Sequence, residues 1–168
     1  FTWGVNNRLT FKNIDFSFLI QGVEGNEILN LTSRHMKNGE ANFNSYAVFN
    51  ERWRSPSEPG NGYIPRADRE SGNHGNNNRP SSFQVEDGSY IRLRNVTLGY
   101  TLPTDNLFGS KIQKLRFYVT GTNLFTITDY LGYNPEVSSI TTNSLTPGED
   151  YGAFPLTKSF TLGLNLKF

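Results

Sequence analysis

Large apolar and small or polar residues alternate strictly through the last nine positions of the chain. Phe160, Leu162, Leu164, Leu166 and Phe168 are separated by Thr161, Gly163, Asn165 and Lys167. Successive side chains of a strand point to opposite faces, so this pattern predicts a strand with one apolar face. A half-buried strand of a soluble protein has the same pattern. The ending on Phe168, with no polar tail, favours an apolar face that meets lipid. Similar runs recur upstream. Leu115, Phe117 and Val119 alternate with Arg116, Tyr118 and Thr120, and Val96, Leu98, Tyr100 and Leu102 with Thr97, Gly99 and Thr101. Near the start, Phe1, Trp3, Val5, Leu9 and Phe11 share a face interrupted only by Asn7, and Ile14, Phe16, Phe18 and Ile20 share the next. A tight turn at Lys12–Asn13 predicts a hairpin between these two runs. Ile91 and Leu93 are out of phase with Val96 and Leu98, which predicts a β-bulge at Arg94–Asn95.

The predicted connections alternate between short and long. Residues 12–13 and 103–114 are the short ones, whereas residues 24–89 and 127–155 form excursions rich in Asn, Gly, Pro and Ser. Loops this long are uncommon in compact domains, but outer-membrane barrels pair short periplasmic turns with long extracellular loops. On that reading 24–89 and 127–155 are extracellular and the C-terminus is periplasmic. Within the first excursion, residues 26–36 and 41–53 are predicted as short helices, the second with Phe43, Tyr46, Ala47 and Trp53 roughly on one face. Pro56 to Ser82 reads as irregular loop.

Composition narrows the class. The chain has 168 residues, 35% hydrophobic and 18% charged, with 23 aromatics and about one Asn in eight. That is too aromatic for a disordered chain and too poor in Leu and Ala for a helical bundle. The net charge of +1 offers no case for nucleic acid, and the absence of Cys excludes disulfide scaffolds and thiolate metal sites. No apolar run is long enough for a transmembrane helix or a signal peptide. The opening on Phe1 and not on Met suggests a processed or partial chain. Five strands cannot close a bacterial single-chain barrel, which takes an even number from eight upward, so the expectation is the C-terminal piece of a larger one.

The residues at this point resemble a known family, the SusC/RagA-type TonB-dependent outer-membrane transporters of the Bacteroidota. The block from Glu86 to Pro103, EDGSYIRLRNVTLGYTLP, is close to a signature of that family. Weaker blocks fall in the expected order: IQGVEGNEILN at Ile20–Asn30, then Arg52–Trp53 and IPRA at Ile64–Ala67. They continue with TGTNLFTITDYLGYNPEV at Thr120–Val137 and YGAFPLTKSFTLGLNLKF at Tyr151–Phe168. The resemblance implies an all-β fold, five or so antiparallel strands from the C-terminus of a transmembrane barrel of about 22 strands. It also implies a plug and a TonB-contacting region outside this sequence, a SusD-like surface lipoprotein as partner, and import of glycan or peptide oligomers. No cofactor is implied. Residues 1–168 would supply barrel wall, lumen lining and extracellular loops. Two alternatives remain at this stage: a soluble β-sandwich carbohydrate-binding module, and a small structural or adhesive outer-membrane barrel.

Candidate sites are few. His35 and His74 stand alone in the first excursion, and a metal site would need further ligands from far away. Glu86–Asp87 and Glu149–Asp150 are adjacent carboxylates that point to opposite faces of a strand, so neither pair forms an acid/base couple. No nucleophile motif accompanies the serines, so no enzyme is expected. Tyr130, Tyr133, Tyr151 and Phe154 are candidate ligand-contacting or rim aromatics, with an interfacial girdle or packing within the loop as the favoured role. Arg92, Arg94 and Arg116 are candidate lumen-facing residues, paired with carboxylates from strands outside this sequence. Phe160, Leu162, Leu164, Leu166 and Phe168 resemble the C-terminal signal by which barrel-assembly machinery captures a strand.

Overall fold

In a computed structural model, residues 1–37, 39, 44–67, 81–103, 112–137 and 148–168 are described. They form two compact units: a sheet unit of residues 1–26, 89–129 and 155–168, and a loop unit of residues 27–88 and 130–154.

The sheet unit is a five-stranded antiparallel meander. Its strands are β1 (Thr2–Phe11), β2 (Ile14–Val23), β5 (Tyr90–Leu102), β6 (Lys114–Thr128) and β8 (Ser159–Lys167), in that spatial order. Lys12 turns the first hairpin with a left-handed backbone, φ 51°, and pairs Phe11 with Ile14. The predicted bulge is present. Leu19 faces Asn95 and Ile20 faces Leu93, leaving Arg94 as the extra residue of β5. On the other side Leu93 faces Phe125 and Asn95 faces Thr122, so two residues of β6, Asn123 and Leu124, stand opposite Arg94 alone. One of them, Asn123, has φ 53°, a conformation that Asn tolerates better than most residues.

The bulge puts Ile91 and Leu93 back on the face of Val96 and Leu98. Directly paired residues lie on the same side of a sheet, so the register defines continuous rows across the strands. One runs Phe11, Ile14, Tyr100, Phe117, Leu164, and the next Leu9, Phe16, Leu98, Val119, Leu162. The row after that passes through Asn7, Phe18, Val96, Gly121 and Phe160. One face of the sheet is therefore almost wholly apolar, and it is open: Leu162 is 84% exposed. What this unit buries is mostly polar, with Asp15 and Arg92 both buried and Tyr90 its one buried aromatic among the described residues.

The loop unit has the opposite distribution. Ile28, Tyr130 and Val137 form its core with Ala153 packed against them, and Leu31 and Ile64 are also buried. A small sheet, β3 (Glu27–Asn30) between β4 (Val85–Asp87) and β7 (Glu149–Asp150), joins the two excursions. The helix predicted over 26–36 is corrected: residues 27–30 are strand and the helix α1 spans Leu31–Lys37. Asn30 decides the boundary, because its Oδ1 accepts the Ser33 N–H at 2.8 Å in the manner of an N-cap. The helix predicted over 41–53 is reduced to a 3-10 segment, Ala47–Glu51, with residues 41–43 outside the described ones.

Candidate functional site

The polar face of the sheet carries two side-chain networks. Near the short turns, Arg116 on β6 reaches across β5 to Asp15 on β2. Its Nε donates to Oδ1 at 2.8 Å and its Nη2 to Oδ2 at 2.5 Å. Asp15 is paired in register with Gly99, and a Cβ there would lie 2.4 Å from Arg116 Nη2 and 2.5 Å from Asp15 Oδ1. The missing side chain is what lets this bidentate pair form over the central strand. The Arg116 guanidinium also lies 4.9 Å from the Tyr118 ring centroid. Tyr118 in turn covers Gly163, where a Cβ would meet the ring at 2.1 Å.

Toward the excursions, Arg92 is 1% exposed. It donates to Thr126 Oγ1 at 2.9 Å and stacks 4.8 Å from the Tyr90 centroid. Gln21 Nε2 donates to the Tyr90 hydroxyl at 3.0 Å, and Arg94, the bulge residue, donates to Gln21 Oε1 at 2.9 Å. Arg92, Arg94 and Arg116 thus share the polar face. One expectation is corrected: the carboxylate partner of Arg116 is Asp15 of this chain. No residue near Arg116 in sequence signals that pairing, since the two are 101 positions apart.

In the loop unit, the Asp150 carboxylate ties the second excursion to itself and the Glu86 carboxylate ties the two excursions together. Asp150 accepts the Tyr130 hydroxyl on Oδ2 at 2.5 Å and the Gly152 and Ala153 N–H groups on Oδ1 at 2.7 and 2.8 Å. Burial, the hydrogen bond to Asp150 and the nearby carboxylates push the Tyr130 hydroxyl well above the ordinary tyrosine range, so it stays a donor. Burial, and then the charge of Glu86, also raises Tyr46. Glu86 accepts from Lys37 Nζ at 3.2 Å on Oε1, and from Asn30 Nδ2 and the Leu131 N–H on Oε2 at 3.3 and 3.2 Å. These adjacent-carboxylate positions act as structural acceptors.

The four candidate aromatics separate. Tyr130, 5% exposed, belongs to the core, whereas Tyr133, Tyr151 and Phe154 are 77%, 62% and 90% exposed. Sequence reasoning missed Tyr63 and Phe83, which stack with centroids 4.9 Å apart. His74 and the side chain of His35 lie outside the described residues, among which no cluster of potential metal ligands occurs. Phe160, Leu162, Leu164 and Leu166 stand exposed on the apolar face of β8, and Phe168 is exposed just beyond its end.

Comparison with known proteins gives this arrangement a context. No protein-family model matches the chain. It is 42% identical over its full length to TonB-dependent receptor P3 of Formosa agariphila, and 27% identical over 98% of its length to TonB-dependent receptor SusC of Bacteroides thetaiotaomicron. The chain belongs to the TonB-dependent receptors. It spans about one sixth of the length of these relatives, 16% and 15% respectively. Among solved structures, the RagAB peptide importer in its open-open state superposes with a TM-score of 0.78 at 21% identity. That match covers 99% of this chain and 17% of the other, and it extends the likeness of fold to all five strands and the loop unit.

Proposed function

We propose that this chain forms the C-terminal wall and two extracellular loops of a TonB-dependent outer-membrane importer for oligomeric nutrients, glycan or peptide. The observation that carries the proposal is the inverted sheet. An open apolar face spans all five strands, while the opposite face is polar and internally hydrogen-bonded. That inversion suits a wall between lipid and a hydrated lumen. It does not suit a β-sandwich, whose apolar face is covered by a second sheet. In this reading residues 24–89 and 127–155 lie outside the cell and the C-terminus faces the periplasm. Arg92, Arg94 and Arg116 face the lumen, and no catalysis is assigned.

The partners follow from the same reading: a SusD-like lipoprotein at the outer mouth, the TonB complex through a region outside residues 1–168, and the barrel-assembly machinery at β8. Tyr133, Tyr151 and Phe154 are exposed aromatics in the second excursion, the candidates for contact with a ligand, whereas Tyr130 holds the loop unit together. The test uses the complete protein in its own cells. Uptake of labelled glycan and peptide oligomers is measured with and without the proton-motive force, and binding is measured alongside. Energy-dependent uptake of one class, with binding retained after de-energisation, supports the proposal and chooses the substrate. Uptake of neither class, or uptake indifferent to energy, overturns it.

A further inference from the structure

No charged residue occurs in the paired rows of the apolar face. The chain nevertheless enters that face on a cation. Lys158 immediately precedes β8, in phase with Phe160, Leu162, Leu164 and Leu166. The Thr157 carbonyl accepts Asn123 Nδ2 at 3.3 Å, so the chain already runs beside β6 when it reaches Lys158. Alternation therefore places Lys158 on the apolar side, at its long-loop end. The residue is exposed and makes no ion pair among the described residues. Lys12, at the short-turn end, differs, because its ammonium lies 5.5 Å from the Phe11 ring centroid.

A lysine so placed lays its apolar stem along the surface and needs water or a counter-charge for its head. The surface it continues into is apolar. Phe160 is 74% exposed, and Phe125 and Ile127 carry the same face further along β6, each 58% exposed. We propose that Lys158 binds the phosphate of an anionic lipid headgroup in the outer half of the membrane, with the acyl chains of that lipid lying against Phe160 and the apolar face. A lipid fits better than a free anion. A free phosphate would gain one exposed ammonium and lose hydration beside apolar rings. A cation at the end of an apolar stripe matches a molecule with its charge at one end and its hydrocarbon at the other. The proposal rests on the reading of this face as the lipid-facing wall of a barrel.

The test uses the full-length protein, extracted from its membrane in an uncharged detergent and titrated with phosphatidic acid. Diacylglycerol with the same acyl chains is the uncharged probe, and bound lipids are counted by native mass spectrometry. The expected result is retention of phosphatidic acid over diacylglycerol, weakened about fivefold by Lys158→Ala and kept by Lys158→Arg. Lys167→Ala removes the same charge from the opposite face and should leave retention as in the parent. Equal retention by the parent and Lys158→Ala overturns the proposal. So does an equal loss in Lys167→Ala, which would make net charge the cause. Displacement of the lipid by inorganic phosphate also overturns it, since the site would then be one for free anions. In each of these outcomes the protein is still found in the outer-membrane fraction and needs detergent to leave it. Failure of the wall reading would instead be seen as release into water without detergent.

Discussion

At the scale of single residues, the strongest commitments are side chains that hold distant segments together. Tyr130 joins the start of the second excursion to its end through Asp150. Replacing it with Phe removes a hydrogen bond to a buried charged group and is expected to destabilise the loop unit by about 1.5–3 kcal/mol, read by amide hydrogen exchange over residues 130–137 and 148–154. Because folding raises the Tyr130 hydroxyl above its unfolded value, its contribution is complete below the ordinary tyrosine range near pH ~10 and is lost as pH rises beyond it. A spectroscopic alkaline titration should therefore show one tyrosine fewer in the late-ionising group of Tyr130→Phe than in the parent. An unchanged late phase would mean that the hydroxyl is not held as described. Gly163 is equally constrained. Gly163→Val puts a side chain where the Tyr118 ring lies, and overpacking of this kind costs about 1–3 kcal/mol. Combining it with Tyr118→Ala should recover most of the loss in an unfolding assay, as expected only if the ring is the obstacle.

At the scale of the strand, depth along β8 becomes testable. The rows of the apolar face place Leu162 beside Val119 near the middle of the band, and Leu166 beside Leu115 near its short-turn edge. Lysine on a lipid face costs about 2–4 kcal/mol at the midplane and about 0–1 near the interface. In reversible unfolding of the complete protein in bilayers, Leu162→Lys should therefore be the more damaging, Leu166→Lys mild, and Asn165→Lys, on the other face, mild as well. Equal penalties at 162 and 165 would contradict the facing. The bulge at Arg94 belongs to this scale too. It brings Ile91 and Leu93 into phase with the lower half of β5 and simultaneously frees Arg94 to bond Gln21.

For the molecule as a whole, the sheet has open edges at β1 and β8, each with a row of unpaired backbone groups that would recruit other strands. The terminal stripe of β8 offers both backbone hydrogen bonds and alternate apolar side chains, the two elements of recognition by strand addition. Deleting Phe168 from the complete protein removes one exposed ring, at most about 1.5–3 kcal/mol by burial. Surface abundance, measured by protease shaving, is expected to fall more than the melting temperature of the barrel that does assemble. Normal abundance with a clearly lowered melting temperature would make Phe168 a packing residue and not an assembly signal.

What the sequence determined by itself is local. The strands, the Lys12–Asn13 turn, the bulge at Arg94–Asn95 and the facing of Phe160 to Leu166 all follow from a two-residue period, which neighbouring positions suffice to display. The resemblance in residues 86–103 and its companion blocks extended that reading to the kind of molecule. The tertiary structure alone decided the rest. Residues 27–30 are strand and not helix because β4 and β7, far along the chain, supply their partners. Tyr130 is core and not rim because Ile28, Val137 and Asp150 close around it. Arg116 finds its carboxylate on β2 because Gly99 leaves the space between them. In each case the deciding energy comes from groups brought together only by folding, and no window along the chain contains both halves of the interaction.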